Sequence, residues 1–215
     1  MKGLLFDLDG TLLNTIADLH QSTNFALRRF GYPEHTLSEI QSFVGDGLRM
    51  LILRALPSGC EDACIDRVLA EMKRHYAEHC HDYTTIYEGV LPMLQECKRQ
   101  HFPIAVVSNK ADALVKKLCS HFFGDLIPFA LGESDAMPRK PAPDMVFAAM
   151  RQLGVTDAYY IGDSDVDVMT AKNAALPCLA VSWGFRTVEQ LRNAGATEIY
   201  ATPQDLLQRI QGENA

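Results

Sequence analysis

The chain has 215 residues, 47% of them apolar and 22% charged, enough to bury a full core and too mixed in charge to stay disordered. Twenty Lys and Arg against 27 Asp and Glu give a net charge of −7, which argues against nucleic acid or an anionic membrane as partner. No window approaches the roughly 20 apolar residues of a membrane span, and Asp7 and Asp9 interrupt the first apolar run too early for a secretory signal; the expected compartment is the cytoplasm.

Gly3–Leu8 is a short, almost wholly apolar run, the pattern of a strand buried on both faces. No convincing strand follows until Gly89. Instead, Ile16, Leu19, Thr23, Ala26, Leu27 and Phe30 recur at helical spacing and stop at Gly31, a good C-cap. Thr36-x-x-Glu39 has the capping-box form ahead of Ile40 and Phe43. Leu48–Leu56 and Glu61–Cys80 continue as helices. Gly45-Asp46-Gly47 reads equally well as an ordinary interhelical turn or as a loop reaching towards a ligand. An all-helical block in this place predicts a smaller domain, a cap over residues 15–84, inserted into a core of residues 1–14 and 85–215.

Beyond it, strands are predicted at Phe102–Ser108, Leu126–Leu131, Ala158–Ile161, Pro177–Ser182 and Glu198–Ala201. Helices are predicted over residues 90–101, 111–121, 143–153, 166–175, 187–194 and 203–211. Such alternation implies parallel strands with crossover helices, an α/β doubly wound, Rossmann-like sheet. The six cysteines are scattered and form no C-x-x-C, so they read as reduced thiols.

Four short segments fall where strands end or helices begin. Asp7-Leu8-Asp9-Gly10-Thr11 sets two carboxylates at i and i+2 after four apolar residues, with Gly10 to turn the chain and Thr11 to offer a hydroxyl. Two such charges repel strongly unless a cation lies between them, and a hard divalent ion such as Mg²⁺ fits oxygen donors and phosphates. Ser108-Asn109-Lys110 puts a hydroxyl and an amide at a second strand end. Arg139-Lys140-Pro141 places a cation before a proline-stiffened helix start, and Gly162-Asp163-Ser164-Asp165-Val166-Asp167 ends another strand with three carboxylates. Each segment alone is an ordinary turn or helix cap. At the carboxyl ends of parallel strands, where ligands bind, the set suits a phosphoryl group bound to a divalent metal.

In order, D-L-D-G-T, S-N, K-P and G-D-S-D-V-D resemble the four motifs of the haloacid dehalogenase superfamily of phosphotransferases. F-D-L-D-G-T-L, F-V-G-D-G-L, R-K-P-A-P-D and V-S-W-G-F-R are similar to its phosphoglycolate phosphatase branch. The resemblance implies a Mg²⁺-dependent phosphomonoester hydrolase acting on a small, phosphoglycolate-like ester through an aspartyl-phosphate. Asp7 would be the nucleophile, Asp9 the general acid and then base, and Lys140 the cation that stabilises charge on nucleophile and phosphoryl group. Thr11 and Ser108 would hydrogen-bond phosphoryl oxygens, assisted by the Asn109 backbone. The metal would be held by the Asp7 carboxylate, the Asp9 carbonyl and Asp163, with Asp167 completing the acidic set. The cap would select the organic group.

Asn14 departs from the acidic residue common in the family at that place, and Asp165 is an extra carboxylate. On the same scaffold, a sugar-phosphate mutase or a pyrophosphatase is the alternative enzyme. From a different class, a phospho-receiver module also clusters aspartates and a lysine around Mg²⁺, but it has no use for the second aspartate or the helical insert. His75 and His79 read either as half of a zinc site or, the simpler reading, as the solvated end of a cap helix. The partner is expected to be a small-molecule phosphate ester, and the protein a monomer or homodimer.

Overall fold

A computed structural model of the chain describes residues 2–212. The chain opens in β1 (Gly3–Phe6) and turns through the short β2 (Leu13–Asn14) into four helices: α1 (Ile16–Arg29), α2 (Leu37–Phe43), α3 (Leu48–Ala55) and α4 (Asp62–His79). It returns through β3 (Thr85–Ile86), which pairs with β2 in a two-stranded ribbon. Strands and helices then alternate: α5 (Val90–Arg99), β4 (Ile104–Ala111), α6 (Asp112–Phe123), β5 (Phe129–Glu133), α7 (Asp144–Leu153), β6 (Ala158–Gly162), α8 (Asp165–Asn173), β7 (Cys178–Val181), α9 (Val188–Asn193), β8 (Glu198–Tyr200) and α10 (Pro203–Gly212).

The larger unit comprises Met1–Asn14 and Ile86–Ala215. Its sheet runs β5-β4-β1-β6-β7-β8, and every pairing is parallel. This is a doubly wound α/β sheet, with β1 near its centre between β4 and β6. All four residues of β1 are buried, as a strand covered on both faces requires. On one face, Met145, Val146, Ala149 and Met150 of α7 pack on Leu5, Ala105, Val107 and Tyr160. Burying side chains of this size stabilises by roughly 1.5–3 kcal/mol each, which makes the central strands a rigid platform for whatever follows their ends.

Several strand boundaries differ from the sequence expectation, and the two-residue strands β2 and β3 lie in the stretch before Gly89 where no strand was expected. β1 stops at Phe6 rather than Leu8, because the Leu8 carbonyl accepts from the N–H groups of Thr11, Leu12 and Leu13 and the chain turns at once. β5 begins at Phe129 rather than Leu126. Residues Gly124–Leu126 form a 3-10 turn that Gly124 enters at φ 50°, and Pro128 has no N–H to give a ladder. β4 runs on to Ala111, with an irregularity in its register to β5 between Val107 and Ala111.

The smaller unit, Thr15–Thr85, is helical. Ile65, Val68, Leu69, Met72 and Tyr76 bury one face of α4. Thr36 and Glu39 form the capping box of α2. Asp18 of α1 is buried and accepts from the N–H groups of Tyr83 and Thr84, each at 2.9 Å, and from the Thr84 hydroxyl at 2.7 Å. That clasp ties the beginning of the unit to its end. Among the described residues, no helix is long and apolar enough to cross a membrane, and the six cysteines form no disulfide.

Candidate active site

Asp7 is the first residue beyond β1, and its N–H continues the ladder to the Ile161 carbonyl at 2.8 Å. Since β1 lies between β4 and β6, the segments after these three strands are brought side by side. Lys140, from the loop before α7, joins them: its Nζ is 2.8 Å from Asp7 Oδ1 and 2.8 Å from Asp167 Oδ1, with all three side chains buried. Asn109 grips that lysine by its backbone, donating Nδ2–H to the Lys140 carbonyl at 3.0 Å and accepting the Lys140 N–H at 2.8 Å. The Asn109 side chain is therefore spent on holding Lys140.

Asp163 ends the β6 segment and accepts from the Thr11 hydroxyl at 2.9 Å and the Phe185 N–H at 2.7 Å. Asp167 lies within α8 and accepts from the Ser164 N–H and hydroxyl at 3.1 and 2.6 Å, closing a capping box. Carboxylate oxygens of Asp7, Asp163 and Asp167 lie within 4.8 Å of one another. Asp9 stands apart from this trio, its Oδ1 2.7 Å from the buried Lys110 Nζ. Ser108 is buried at the same strand end, and its hydroxyl accepts the Lys110 N–H at 3.2 Å.

Small residues make room for these carboxylates. A methyl group on Gly10, which has a φ of 91°, would overlap the Asp163 carboxylate. One on Gly184 would overlap both that carboxylate and the Gly10 carbonyl. The Trp183 Nε1–H donates to the Thr11 carbonyl at 2.9 Å, fixing the loop after β7 against the turn after β1.

With every group ionised, four carboxylates face two ammoniums, a local balance of −2. Burial pushes the Asp7 carboxyl up to about 7; the Lys140 ammonium opposes this, while the Asp167 and Asp9 charges add to it. Burial, then the charges of Asp167 and Asp7, hold Asp163 well above the carboxylate range. Burial alone would lower Lys140, but the Asp167 and Asp7 carboxylates override it and keep the ammonium protonated. Among the described residues no lysine or arginine pairs with Asp163. Oxygen donors alone, an excess of negative charge and one carboxylate without a cation fit a hard divalent ion.

A stability measurement follows from Asp7. Its unfolded carboxyl ionises near 3.8 and its folded one near 7, so between those values the folded state holds the extra proton and rising pH favours unfolding. In chelator-treated protein the melting temperature is expected to fall as pH rises from about 4 to about 7. Asp7→Asn has no proton to lose there and is expected to reduce the slope; the same slope in the variant would contradict the assignment.

Hydrogen bonds thus join Asp7, Asn109, Lys140 and Asp167, another joins Thr11 to Asp163, whose carboxylate lies within 4.8 Å of those of Asp7 and Asp167, and Lys110 links Asp9 to Ser108. Sequence reading passed over Lys110 as a strand-end flank, although its type and its place two residues after Ser108 were visible. It also passed over Tyr160, whose buried hydroxyl donates to the Val107 carbonyl at 3.2 Å and reaches Asp167 at 3.4 Å. Asp165 is exposed and pairs with Arg186 at 3.3 Å. His75 stacks on Phe25 and shares a hydrogen bond with the Ser22 hydroxyl, while His79 pairs with Asp82 at 2.7 Å.

Residues 4–181 match the family model described as haloacid dehalogenase-like hydrolase. A phosphoglycolate phosphatase of Rhodobacter capsulatus is 35% identical over 187 residues, covering 85% of either chain. A crystal structure of a protein from Lactobacillus delbrueckii subsp. bulgaricus superposes with a TM-score of 0.93 at 35% identity, covering 97% of this chain and 98% of that one. CbbY from Rhodobacter sphaeroides, solved in complex with phosphate, has a TM-score of 0.75 at 25% identity and 96% coverage of both chains.

Proposed function

The chain belongs to the haloacid dehalogenase-like hydrolase family, and on that premise we propose that it is a Mg²⁺-dependent phosphatase of small organic phosphate monoesters, with phosphoglycolate the first substrate to test. The observation that carries this reading is the buried Lys140 bridging Asp7 and Asp167 beside Asp163, which among the described residues pairs with no lysine or arginine.

Asp7, Asp163 and the Asp9 carbonyl would hold the ion, with Asp167 behind them. Bound there, Mg²⁺ supplies positive charge to phosphoryl oxygens. An Asp7 oxygen attacks phosphorus, the ester P–O bond breaks, and the leaving oxygen takes a proton from Asp9. Asp9 then removes a proton from the water that attacks the aspartyl-phosphate, releasing inorganic phosphate and restoring Asp7. Ser108, whose hydroxyl accepts the Lys110 N–H and keeps its own proton, would donate to a phosphoryl oxygen, whereas the Thr11 hydroxyl, expected to do the same, gives its proton to Asp163 and would orient that carboxylate instead. Lys140 favours the ionised nucleophile and offsets the charge that gathers on the phosphoryl group.

Turnover of para-nitrophenyl phosphate with Mg²⁺, followed by kcat/KM across a panel of phosphate esters, tests the reading. Multiple turnovers with phosphoglycolate among the best substrates are expected. A single phosphorylation event without turnover would mean a receiver module. A sugar phosphate isomerised rather than hydrolysed, or a clear preference for pyrophosphate, would overturn the substrate class.

A further inference from the structure

We propose that Lys110 is a positioning residue for Asp9, a buried tether that fixes the side chain which, as the carboxylic acid, gives its proton to the leaving group and is left as the carboxylate. The inference rests on the phosphatase reading and adds to it a residue outside the four sequence motifs.

Lys110 and Asp9 are 101 positions apart and meet at 2.7 Å. Only 3% of the lysine side chain and 15% of the aspartate side chain are accessible. Burying an ammonium is costly unless it is paired, so its presence here calls for a partner at a defined place. The lysine is itself held firmly. Its N–H donates to the Ser108 hydroxyl at 3.2 Å. A methyl group on Gly132 of β5 would come within 2.5 Å of the Lys110 carbonyl, so β5 can approach this irregular part of β4 only because Gly132 has no side chain. The Gly132 N–H donates to Asp112 Oδ1 at 3.0 Å and locks the same corner.

Lys110 is thus mounted on the sheet, whereas Asp9 sits on the turn after β1, where Gly10 follows at φ 91°. An aspartate on a turn, two residues from Asp7, is not fixed by its own backbone alone; the 2.7 Å ion pair sets where its carboxylate lies, outside the Asp7, Asp163 and Asp167 trio. General acid catalysis needs the acid within hydrogen-bond reach of the departing oxygen, and a displacement of about 1 Å costs roughly 100-fold. A fixed lysine supplies that accuracy to a residue whose own backbone is in a turn.

The test compares esters that differ in their need for an acid. A nitrophenolate departs as the anion, whereas an alkoxide must be protonated. Lys110→Met, of similar length without the charge, is expected to lower kcat on an alkyl phosphate such as phosphoglycolate at least ~10-fold more than on para-nitrophenyl phosphate. Lys110→Arg, which restores the pair, should recover most of that difference, and Lys110→Gln serves if the methionine variant does not fold. Equal losses on both esters, or a change in KM alone, would overturn the tether. Asp9→Asn is assayed alongside: if it fails to discriminate between the esters, the reading of Asp9 falls. If it discriminates and the lysine variants do not, only the role of Lys110 falls.

Discussion

Asp7→Asn is expected to lose at least ~10⁴-fold in turnover while folding normally. The amide has nearly the volume of the carboxylate but neither attacks phosphorus nor binds a hard cation well. Lys140 also pairs with Asp167 at 2.8 Å, so removing the Asp7 charge should not leave the buried ammonium stranded. The change also removes one of three carboxylates crowded within 4.8 Å, so ion-free variant protein should melt no lower than ion-free wild type at neutral pH. Loss of activity together with a large drop in melting temperature would mean that Asp7 supports the fold. Substantial residual activity in a folded variant would exclude the covalent route. In Asp9→Asn, phosphoenzyme is expected to accumulate from para-nitrophenyl phosphate, because attack by Asp7 survives and activation of water does not; intact mass after an acid quench reads this directly.

The second large effect is removal of the metal. Excess EDTA is expected to abolish turnover, added Mg²⁺ to restore it, and Ca²⁺ to restore it poorly, since Ca²⁺ prefers a looser and higher coordination than the octahedral one of Mg²⁺. A readout free of catalysis accompanies this: Mg²⁺ should raise the melting temperature of the wild type, because it binds only the folded arrangement of Asp7, Asp163 and Asp167. The stabilisation should be greatest above pH 7, where burial no longer keeps Asp7 protonated. Full activity in EDTA, with no thermal shift on adding Mg²⁺, would remove the ion from the mechanism.

What could be read in advance was local. Asp7, Asp9, Gly10 and Thr11 lie in five consecutive residues after an apolar run, so composition and periodicity placed them at a strand end without tertiary information. Parallel topology then brings such ends to one edge, and Asp163 and Lys140 followed by the same logic. Pairings across long stretches of chain were not legible. Nothing periodic links Lys110 to Asp9, or makes the Asn109 side chain the grip on Lys140; those contacts exist because β4 lies beside β1. Tyr160 lies inside the expected strand Ala158–Ile161, and its hydroxyl has meaning only once α8 brings Asp167 over it. Gly184 was equally silent, because its lack of a side chain matters only against Asp163 and the Gly10 carbonyl. The start of β5 was misplaced because a three-residue 3-10 turn and Pro128 intervene in an otherwise apolar run.

The Asp18 clasp and the β2–β3 ribbon have a consequence for how this architecture tolerates change. Residues 15–85 leave the core at one strand of the ribbon and rejoin it at the other. To the sheet, the whole insert is therefore a hairpin loop. Closing a flexible loop of this length costs about 4 kcal/mol, and doubling its length adds only ~0.6 kcal/mol. Its content can be lengthened, shortened or exchanged with almost no thermodynamic signal reaching the central strands, provided the two ends still meet. A carboxylate on the first helix that accepts three hydrogen bonds from the last residues before the return is what makes them meet. Asp18 thus closes the insert with the insert's own residues, so that the sheet is not what holds its two ends together.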